Sequence, residues 1–182
     1  MNSIVLQHVL RNVSDYCHEK GVLEAPGINN LVPHDCVNAY AMANYLVKTV
    51  GFSHYVSVAP EGYIYGYFFN KIGIHPLAIS VDYPPKKAAT LDDLLPIAGG
   101  TVLIIEDDVI GGGTLKIVVS ELLKFKPRRL SLFLGHSKIF QHFENIPPEI
   151  ESTYIAEDTL NEDEYENRER EFITEFGKEA IE

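Results

Sequence analysis

The sequence has few cysteines, no long apolar run and no surplus of basic residues, and each absence excludes a class of protein. Its two cysteines, Cys17 and Cys36, form neither a metal-site spacing nor a disulfide framework, so we expect structural thiols in a reducing compartment. No apolar run approaches the length of a membrane span, and the N-terminus lacks a basic segment followed by an apolar stretch. We therefore expect a cytoplasmic protein that does not enter a membrane.

The charged residues are distributed unevenly along the 182-residue chain. Residues 1–143 contain 12 Lys or Arg and 12 Asp or Glu, whereas residues 144–182 contain 3 and 14. The second segment therefore accounts for the whole formal net charge of −11 at pH 7. Because so acidic a segment repels phosphates, neither nucleic acid nor anionic lipid is expected as a partner. We interpret it as a solvated helix or a frayed tail.

Familiar catalytic fingerprints are absent too. The sequence has no Ser–His–Asp order and no dinucleotide fingerprint, and Gly111–Gly113 lacks the lysine that follows the glycines of a P-loop. Five histidines are scattered without ligand spacing and are assigned no role: His8, His18, His34, His54 and His75.

The most informative stretch is residues 101–114. Thr101–Ile105 is an uncharged run of β-branched residues and leucine, which is typical of a strand buried on both faces. Three acids follow at 106–108, and then three glycines and a threonine at 111–114, ahead of an amphipathic helical pattern. Ribose hydroxyls or a divalent cation could gather the carboxylates. Glycine amides at a helix N-terminus suit a phosphate group.

This order of features resembles the 5-phosphoribosyl 1-pyrophosphate (PRPP) motif of the type I phosphoribosyltransferases, in which a hydrophobic strand ends in an acid pair and a glycine-containing loop follows. The acid pair is then Glu106 and Asp107, followed by Asp108. The phosphate loop is Gly111, Gly112, Gly113 and Thr114. The alternative is that the glycines form only a flexible strand-to-helix turn beside surface acids.

Alternating strand and helix patterns predict an α/β fold with a parallel sheet covered on both faces. The patterns predict helices over residues 3–20, about 35–50, 63–72 and about 113–124, and strands over 55–58, 76–81, 101–105 and 130–134. The resemblance implies a mostly parallel five-stranded sheet flanked by helices. In such sheets the ligand lies beyond the carboxyl ends of the strands.

We expect one phosphoribosyltransferase-like domain over residues 1–182. The resemblance covers a core of about 35–135, and it implies a small hood built from 1–34 and about 136–160. An acidic C-terminal helix or tail over 161–182 would pack four side chains inward: Tyr165, Phe172, Ile173 and Phe176.

The resemblance also assigns the turn after the first core strand to diphosphate, which places Glu61 and Gly62 at that subsite. Three explanations of the Glu61 carboxylate stay open: it points away, magnesium bridges it, or diphosphate is not handled in the usual way. Lys86 and Lys87 lie where the family has a mobile loop, and could supply positive charge to the leaving diphosphate. The alternative is that both are exposed lysines of a surface loop without a role in catalysis, and the sequence is equally consistent with that.

The acceptor base has no recognisable signature. His136 and Lys138 follow the last core strand, where the family contacts its base, but solvent-facing roles are equally consistent with the sequence. Phe140 and Tyr154 could stack on a base, although core packing is the simpler expectation.

The resemblance implies transfer of the phosphoribosyl group of PRPP to a nitrogenous base, with release of diphosphate and with Mg²⁺ brought in by PRPP. Glu106 and Asp107 would bind the ribose hydroxyls, and residues 111–114 would hold the 5′-phosphate. A homodimer is expected because the family commonly forms one. The alternative is a catalytically inactive protein of the same fold that binds PRPP or a nucleotide as a sensor or regulatory partner.

Overall fold

A six-stranded sheet forms the centre of the chain in the computed structural model, which describes residues 3–22, 26–82, 87–159 and 162–180. In chain order the strands are β1 His54–Ala59, β2 Leu77–Val81, β3 Ala88–Thr90, β4 Thr101–Glu106, β5 Arg129–Leu134 and β6 Ile150–Ile155. Their spatial order is β3-β2-β1-β4-β5-β6, and only the β2–β3 pair is antiparallel among these neighbours. The predicted α/β class with a mostly parallel sheet is confirmed.

Helices cover both faces of the sheet. The helices are α1 Ser3–Glu19, α2 Pro33–Tyr45, α3 Glu61–Lys71, α4 Gly113–Leu123 and α5 Glu162–Glu179. Buried side chains of α1, α2, α3 and α5 form one apolar cluster with one face of the sheet, and those of α4 form a second cluster with the other face. Within β4, Leu103 and Ile105 join the first cluster, whereas Val102 and Ile104 join the second. The predicted burial of this strand on both faces is therefore confirmed.

Two of the six strands are not among the four that the sequence patterns predict, and the sheet has one strand more than the five that the resemblance implies. Strand β3 directly follows Lys87, where the resemblance implies a mobile loop, and it forms because Ala88–Thr90 pairs with β2. Strand β6 lies within the predicted hood, where it extends the sheet beside β5. Three consecutive polar residues, 151–153, lie in the middle of this edge strand, so it lacks the continuous apolar run that revealed β4.

Two helix boundaries also differ from prediction. The second helix ends at Tyr45 and continues as a π-helical turn, Leu46–Val50, before Gly51. The third helix begins at Glu61, two residues earlier than predicted, so Glu61 lies in the first helical turn rather than in a preceding loop.

The C-terminal helix α5 is amphipathic despite its acidity. Phe172 and Phe176 are fully buried, and their ring centroids lie 5.7 and 5.2 Å from that of Tyr40 in α2. Tyr165 stacks on His34, with 4.9 Å between ring centroids, and Ile173 is half-buried. The predicted inward face is thus confirmed, and the acidic side chains that the structure describes in α5 are exposed or half-buried.

Both cysteines are free and buried, which agrees with the structural role predicted for them. Burial raises the pKa of the Cys17 and Cys36 thiols to about 12, so neither is a reactive thiolate near neutral pH. Across the described residues, no helix combines the length and apolar character that crossing a membrane requires.

Candidate functional site

A cavity of about 590 Å³ opens at the carboxyl ends of β1 and β4. It is lined by residues 59–61, 81–82 and 106–115. The fold thus brings the whole predicted PRPP motif together with Glu61, which is 45 residues earlier in the chain than Glu106. This is the position at which open parallel sheets bind their ligands.

Glu106 is the most deeply buried acid of this cavity, with 6% of its surface exposed. Its Oε1 accepts a hydrogen bond of 3.2 Å from the backbone N–H of Asp107, whereas its Oε2 has no hydrogen-bond partner. Burial, followed by the nearby charge of Asp107, raises the pKa of Glu106 well above its usual range. The protonated form of Glu106 is therefore favoured more than in a solvent-exposed glutamate.

Asp107 and Asp108 are half-buried neighbours of this carboxyl. Burial and the charge of Asp107 raise the pKa of Asp108 to about 6. The segment after strand β5 holds the main chain of Asp107, because the His136 N–H donates to the Asp107 carbonyl at 2.9 Å. This hydrogen bond fixes the backbone at the end of β4, where Asp107 and Asp108 lie.

The loop before α4 has the geometry of an anion cradle. Gly112 has a φ of +68°, and a Cβ there would stand 2.5 Å from the Asn145 carbonyl oxygen, so only glycine fits. The Gly112 carbonyl accepts from the Lys116 N–H at 3.0 Å as α4 begins. The backbone N–H groups of residues 111–114 donate to no acceptor among the described residues, and all four residues line the cavity. They are available to a bound anion.

Glu61 is among the residues that line the cavity. Burial raises its pKa, and the charges of Asp107 and Asp108 raise it further. Gly62, in contrast, does not line the cavity. A Cβ at Gly62 would stand 2.4 Å from the Ile105 carbonyl oxygen, so the close backbone approach at this glycine is between α3 and β4.

Neither of the described predicted cations, Lys87 and Lys138, lines the cavity. Lys86 lies outside the described residues, and Lys87 is exposed. Lys138 is exposed and forms an ion pair with Asp158, while its backbone N–H donates to Glu157 Oε1 at 2.9 Å. Among the described lining residues there are five carboxyl groups and no Lys or Arg: Glu61, Asp82, Glu106, Asp107 and Asp108.

The other base-contact candidates have different surroundings. His136 is half-buried, with its ring edge-on to Tyr65 and Phe140 at centroid distances of 6.1 and 5.8 Å. Tyr154 packs against the core and contacts Phe52, as expected. Phe140 is 52% exposed, so the expectation that it packs in the core was wrong. It lies in the short 3₁₀ turn Lys138–Phe140 after β5, in which no residue is buried.

Three polar residues that the sequence did not single out hold the motif loop in place. Gln141 Oε1 accepts the Val109 N–H at 2.9 Å, and the His142 N–H donates to the Val109 carbonyl at 2.8 Å. Asn145 Nδ2 donates to the Ile110 carbonyl at 2.6 Å. These contacts join residues more than 30 positions apart, so no local sequence pattern predicts them.

A larger cavity of about 870 Å³ lies between α2 and α5 and contains none of the predicted site residues. Its lining mixes Lys48 and Arg168 with Glu171 and other polar groups, without buried polar atoms that lack partners. We therefore take the cavity beside the motif as the candidate site, because there a buried carboxyl oxygen and four backbone amides lack partners.

Comparison with solved structures identifies the fold. A purine phosphoribosyltransferase from Pyrococcus horikoshii is similar with a TM-score of 0.51 and 18% identity, over 67% of this chain and 81% of that chain. A hypoxanthine phosphoribosyltransferase from Staphylococcus aureus has a TM-score of 0.50 and 22% identity, over 69% and 74%. The chain has the type I phosphoribosyltransferase fold.

A third phosphoribosyltransferase, a hypoxanthine-guanine enzyme from Bacillus anthracis, has a TM-score of 0.50 and 15% identity, over 69% of this chain and 78% of that chain. No family model matches the sequence, and no curated protein matches it. The resemblance drawn from residues 101–114 is confirmed at the level of the phosphoribosyltransferase fold, and activity must be argued from the site itself.

Proposed function

We propose that the cavity binds the ribose 5-phosphate part of PRPP, and that the protein transfers this group to a nitrogenous base with release of diphosphate. The observation that carries the proposal is that one cavity gathers an acid pair and four unpaired backbone amides. These two sets of groups suit the two ends of a phosphorylated pentose.

The acid pair would bind the sugar. Asp107 is half-buried and can accept hydrogen bonds from the ribose 2′- and 3′-hydroxyls. Glu106 lines the same cavity, and its Oε2 is buried without a hydrogen-bond partner. A ribose hydroxyl that reached this oxygen could either donate to it or accept from its proton. Negative charge at Asp107 would also stabilise the positive charge that develops at ribose C1 as diphosphate leaves.

The loop would bind the 5′-phosphate. The amides of Gly111, Gly112 and Gly113 can donate to phosphate oxygens, and the N-terminus of the 11-residue helix α4 adds the positive end of its dipole. The half-buried Thr114 can add a hydroxyl donor. Catalysis would then consist mainly of positioning and charge stabilisation.

Mg²⁺ would enter with PRPP. Glu61, Asp107 and Asp108 offer the oxygen ligands that Mg²⁺ prefers. Among the described residues, however, no group of three or more His, Cys, Asp or Glu side chains is arranged to hold a metal ion. The oxygens of PRPP would have to complete the coordination, and the bound ion would neutralise diphosphate in an acidic cavity.

Isothermal titration calorimetry with ribose 5-phosphate and with PRPP–Mg²⁺ tests the proposal. Asp107→Asn removes the charged hydroxyl acceptor and should weaken both ligands at least tenfold, which corresponds to about 1.4 kcal/mol. Asp15→Asn makes the same chemical change on the exposed surface of α1 and should leave both affinities unchanged. Equal binding by wild type and Asp107→Asn would remove the acid pair from the site.

A second function, ligand binding without transfer, is favoured by a specific observation. Glu61 lies in the cavity where the resemblance assigns diphosphate, and no Lys or Arg is among the described lining residues. Two like charges 4 Å apart repel by about 4 kcal/mol at an effective dielectric constant of 20. Such a site would suit a sensor of a nucleoside monophosphate or of ribose 5-phosphate better than an enzyme that handles diphosphate.

Incubation with PRPP–Mg²⁺ and a panel of purines, pyrimidines and orotate distinguishes the two functions. Diphosphate release that depends on one base supports the transferase and identifies the acceptor. Binding of a nucleotide without diphosphate release from any base supports the sensor. The homodimer and the cytoplasmic location both remain predictions. Light scattering after size-exclusion chromatography measures the oligomeric state.

A further inference from the structure

The Gln141 side chain makes three hydrogen bonds to the backbone around the site. Its Oε1 accepts the Val109 N–H at 2.9 Å. Its Nε2 donates to the His136 carbonyl at 3.2 Å and to the Asp107 carbonyl at 3.4 Å. With only 8% of its surface exposed, Gln141 is one of the few buried polar residues of the described chain.

This arrangement uses the full chemistry of a side-chain amide. The group faces one N–H and two carbonyls, so it must supply one acceptor and two donors, which a neutral amide does and a carboxylate does not. The pattern also assigns the orientation of the amide, because exchanging its oxygen and nitrogen would oppose donor to donor. A methionine of similar length could fill the space but make none of the three bonds.

The three bonds join parts of the site that are distant in sequence. Asp107 belongs to the acid pair, and Val109 lies between that pair and the phosphate loop at 111–114. His136 begins the segment after β5, beside the cavity, and Gln141 lies five residues further along it. One buried amide thus connects the acid pair, the residues that lead to the phosphate loop, and the segment that follows β5.

Neighbouring contacts complete the attachment. The His142 N–H donates to the Val109 carbonyl at 2.8 Å, and Asn145 Nδ2 donates to the Ile110 carbonyl at 2.6 Å. The 141–145 segment therefore binds the N–H and the carbonyl of Val109 and the carbonyl of Ile110. Without Gln141, the buried Val109 N–H would lose its acceptor, which favours rearrangement of the loop.

We infer that Gln141 is a positioning residue of the ribose 5-phosphate site: it holds the Asp107–Ile110 backbone in the conformation that presents the acid pair and the loop amides to one ligand. The inference rests on the proposed function, because it names the residue that prepares the same cavity. Gln141 itself does not line that cavity and acts through the backbone.

Gln141→Met tests the inference by calorimetry with ribose 5-phosphate and by hydrogen exchange at the Val109 amide. We expect affinity to fall about tenfold and exchange at Val109 to accelerate, because a preorganised loop becomes one that must be ordered on binding. Gln141→Asn withdraws the amide by one methylene and should act in the same direction, so it replaces the methionine variant if that variant does not fold.

Val9→Ala provides the matched control, because Val9 is a fully buried residue of α1 whose truncation lowers stability without touching the loop. It should bind ribose 5-phosphate as the wild type does, even where its melting temperature equals that of Gln141→Met. Equal losses of affinity in both variants would overturn the positioning role, since binding would then follow global stability.

The two proposals fail in different ways. A wild-type protein that binds ribose 5-phosphate, together with a Gln141→Met protein that binds it within twofold, overturns the positioning role and leaves the proposed function intact. A wild-type protein that binds neither ribose 5-phosphate nor PRPP–Mg²⁺ overturns the proposed function, and the positioning role with it.

Discussion

Glu106 and Asp107 are joined by a hydrogen bond of 3.2 Å from the Asp107 N–H to Glu106 Oε1, yet their carboxyl groups occupy different environments. Glu106 is buried against the sheet, whereas Asp107 is half-buried at the cavity. A protonated acid beside an accessible one can serve a pair of sugar hydroxyls with both a donor and acceptors. The burial of Glu106 also has a consequence for stability.

Glu106→Gln should stabilise the protein increasingly as pH rises. The raised folded-state pKa of Glu106 favours the protonated form, and the unfolded chain ionises near pH 4.3. The wild type therefore loses stability as pH rises from that value through the folded-state pKa, whereas a neutral amide does not. Each unit of pKa difference adds about 1.4 kcal/mol to the advantage of the variant at high pH.

Urea unfolding of wild type and variant between pH 5 and 8 measures this advantage. The exposed Glu149 provides the control, because Glu149→Gln should change stability by less than about 0.5 kcal/mol at every pH. A difference between wild type and Glu106→Gln that stays constant from pH 5 to 8 would contradict the prediction.

Adjacent glycines of the phosphate loop should respond differently to alanine. Gly112→Ala places a Cβ 2.5 Å from the Asn145 carbonyl oxygen at a φ of +68°, and we expect a loss of roughly 2 kcal/mol or more. A Cβ at Gly111 meets nothing within 4 Å, so Gly111→Ala should change the free energy of unfolding by less than about 1 kcal/mol. Urea titration of the pair provides the measurement, and equal losses would show that the loop is not held against Asn145.

The acidic C-terminal helix should contribute to the stability of the domain. Phe172 is fully buried against Tyr40 and Phe68, so Phe172→Ala should lower the free energy of unfolding by about 3–5 kcal/mol. Phe140→Ala removes an equally large ring that is 52% exposed, and should lower it by less than about 1 kcal/mol. Thermal or urea unfolding compares them, and a Phe172→Ala protein as stable as the wild type would mean that α5 is not packed in solution.

The parts of the fold predicted well are those whose physical cause is local. The apolar run of β4, the helical periodicity of α4 and the aromatic spacing of α5 each record how a single helix or strand packs against the core. Strand β3 could not be predicted in this way, because three residues carry no periodicity and become a strand only by pairing with β2. The start of α3 at Glu61 was missed for a related reason. The first turn of α3 packs closely against the Ile105 carbonyl at Gly62, and this contact joins residues that are distant in sequence.

By itself, the order of residues 101–114 determined the type of fold and the place of the candidate site, because a buried strand, an acid pair and a glycine loop follow one another and each can be recognised from a few adjacent residues. The tertiary structure decided what surrounds that motif: Glu61 at the same cavity, no lysine among its described lining, and Gln141 and Asn145 fastening its loop. Those arrangements depend on contacts between residues more than 30 positions apart, and chain folding, rather than any local pattern, brings such residues together.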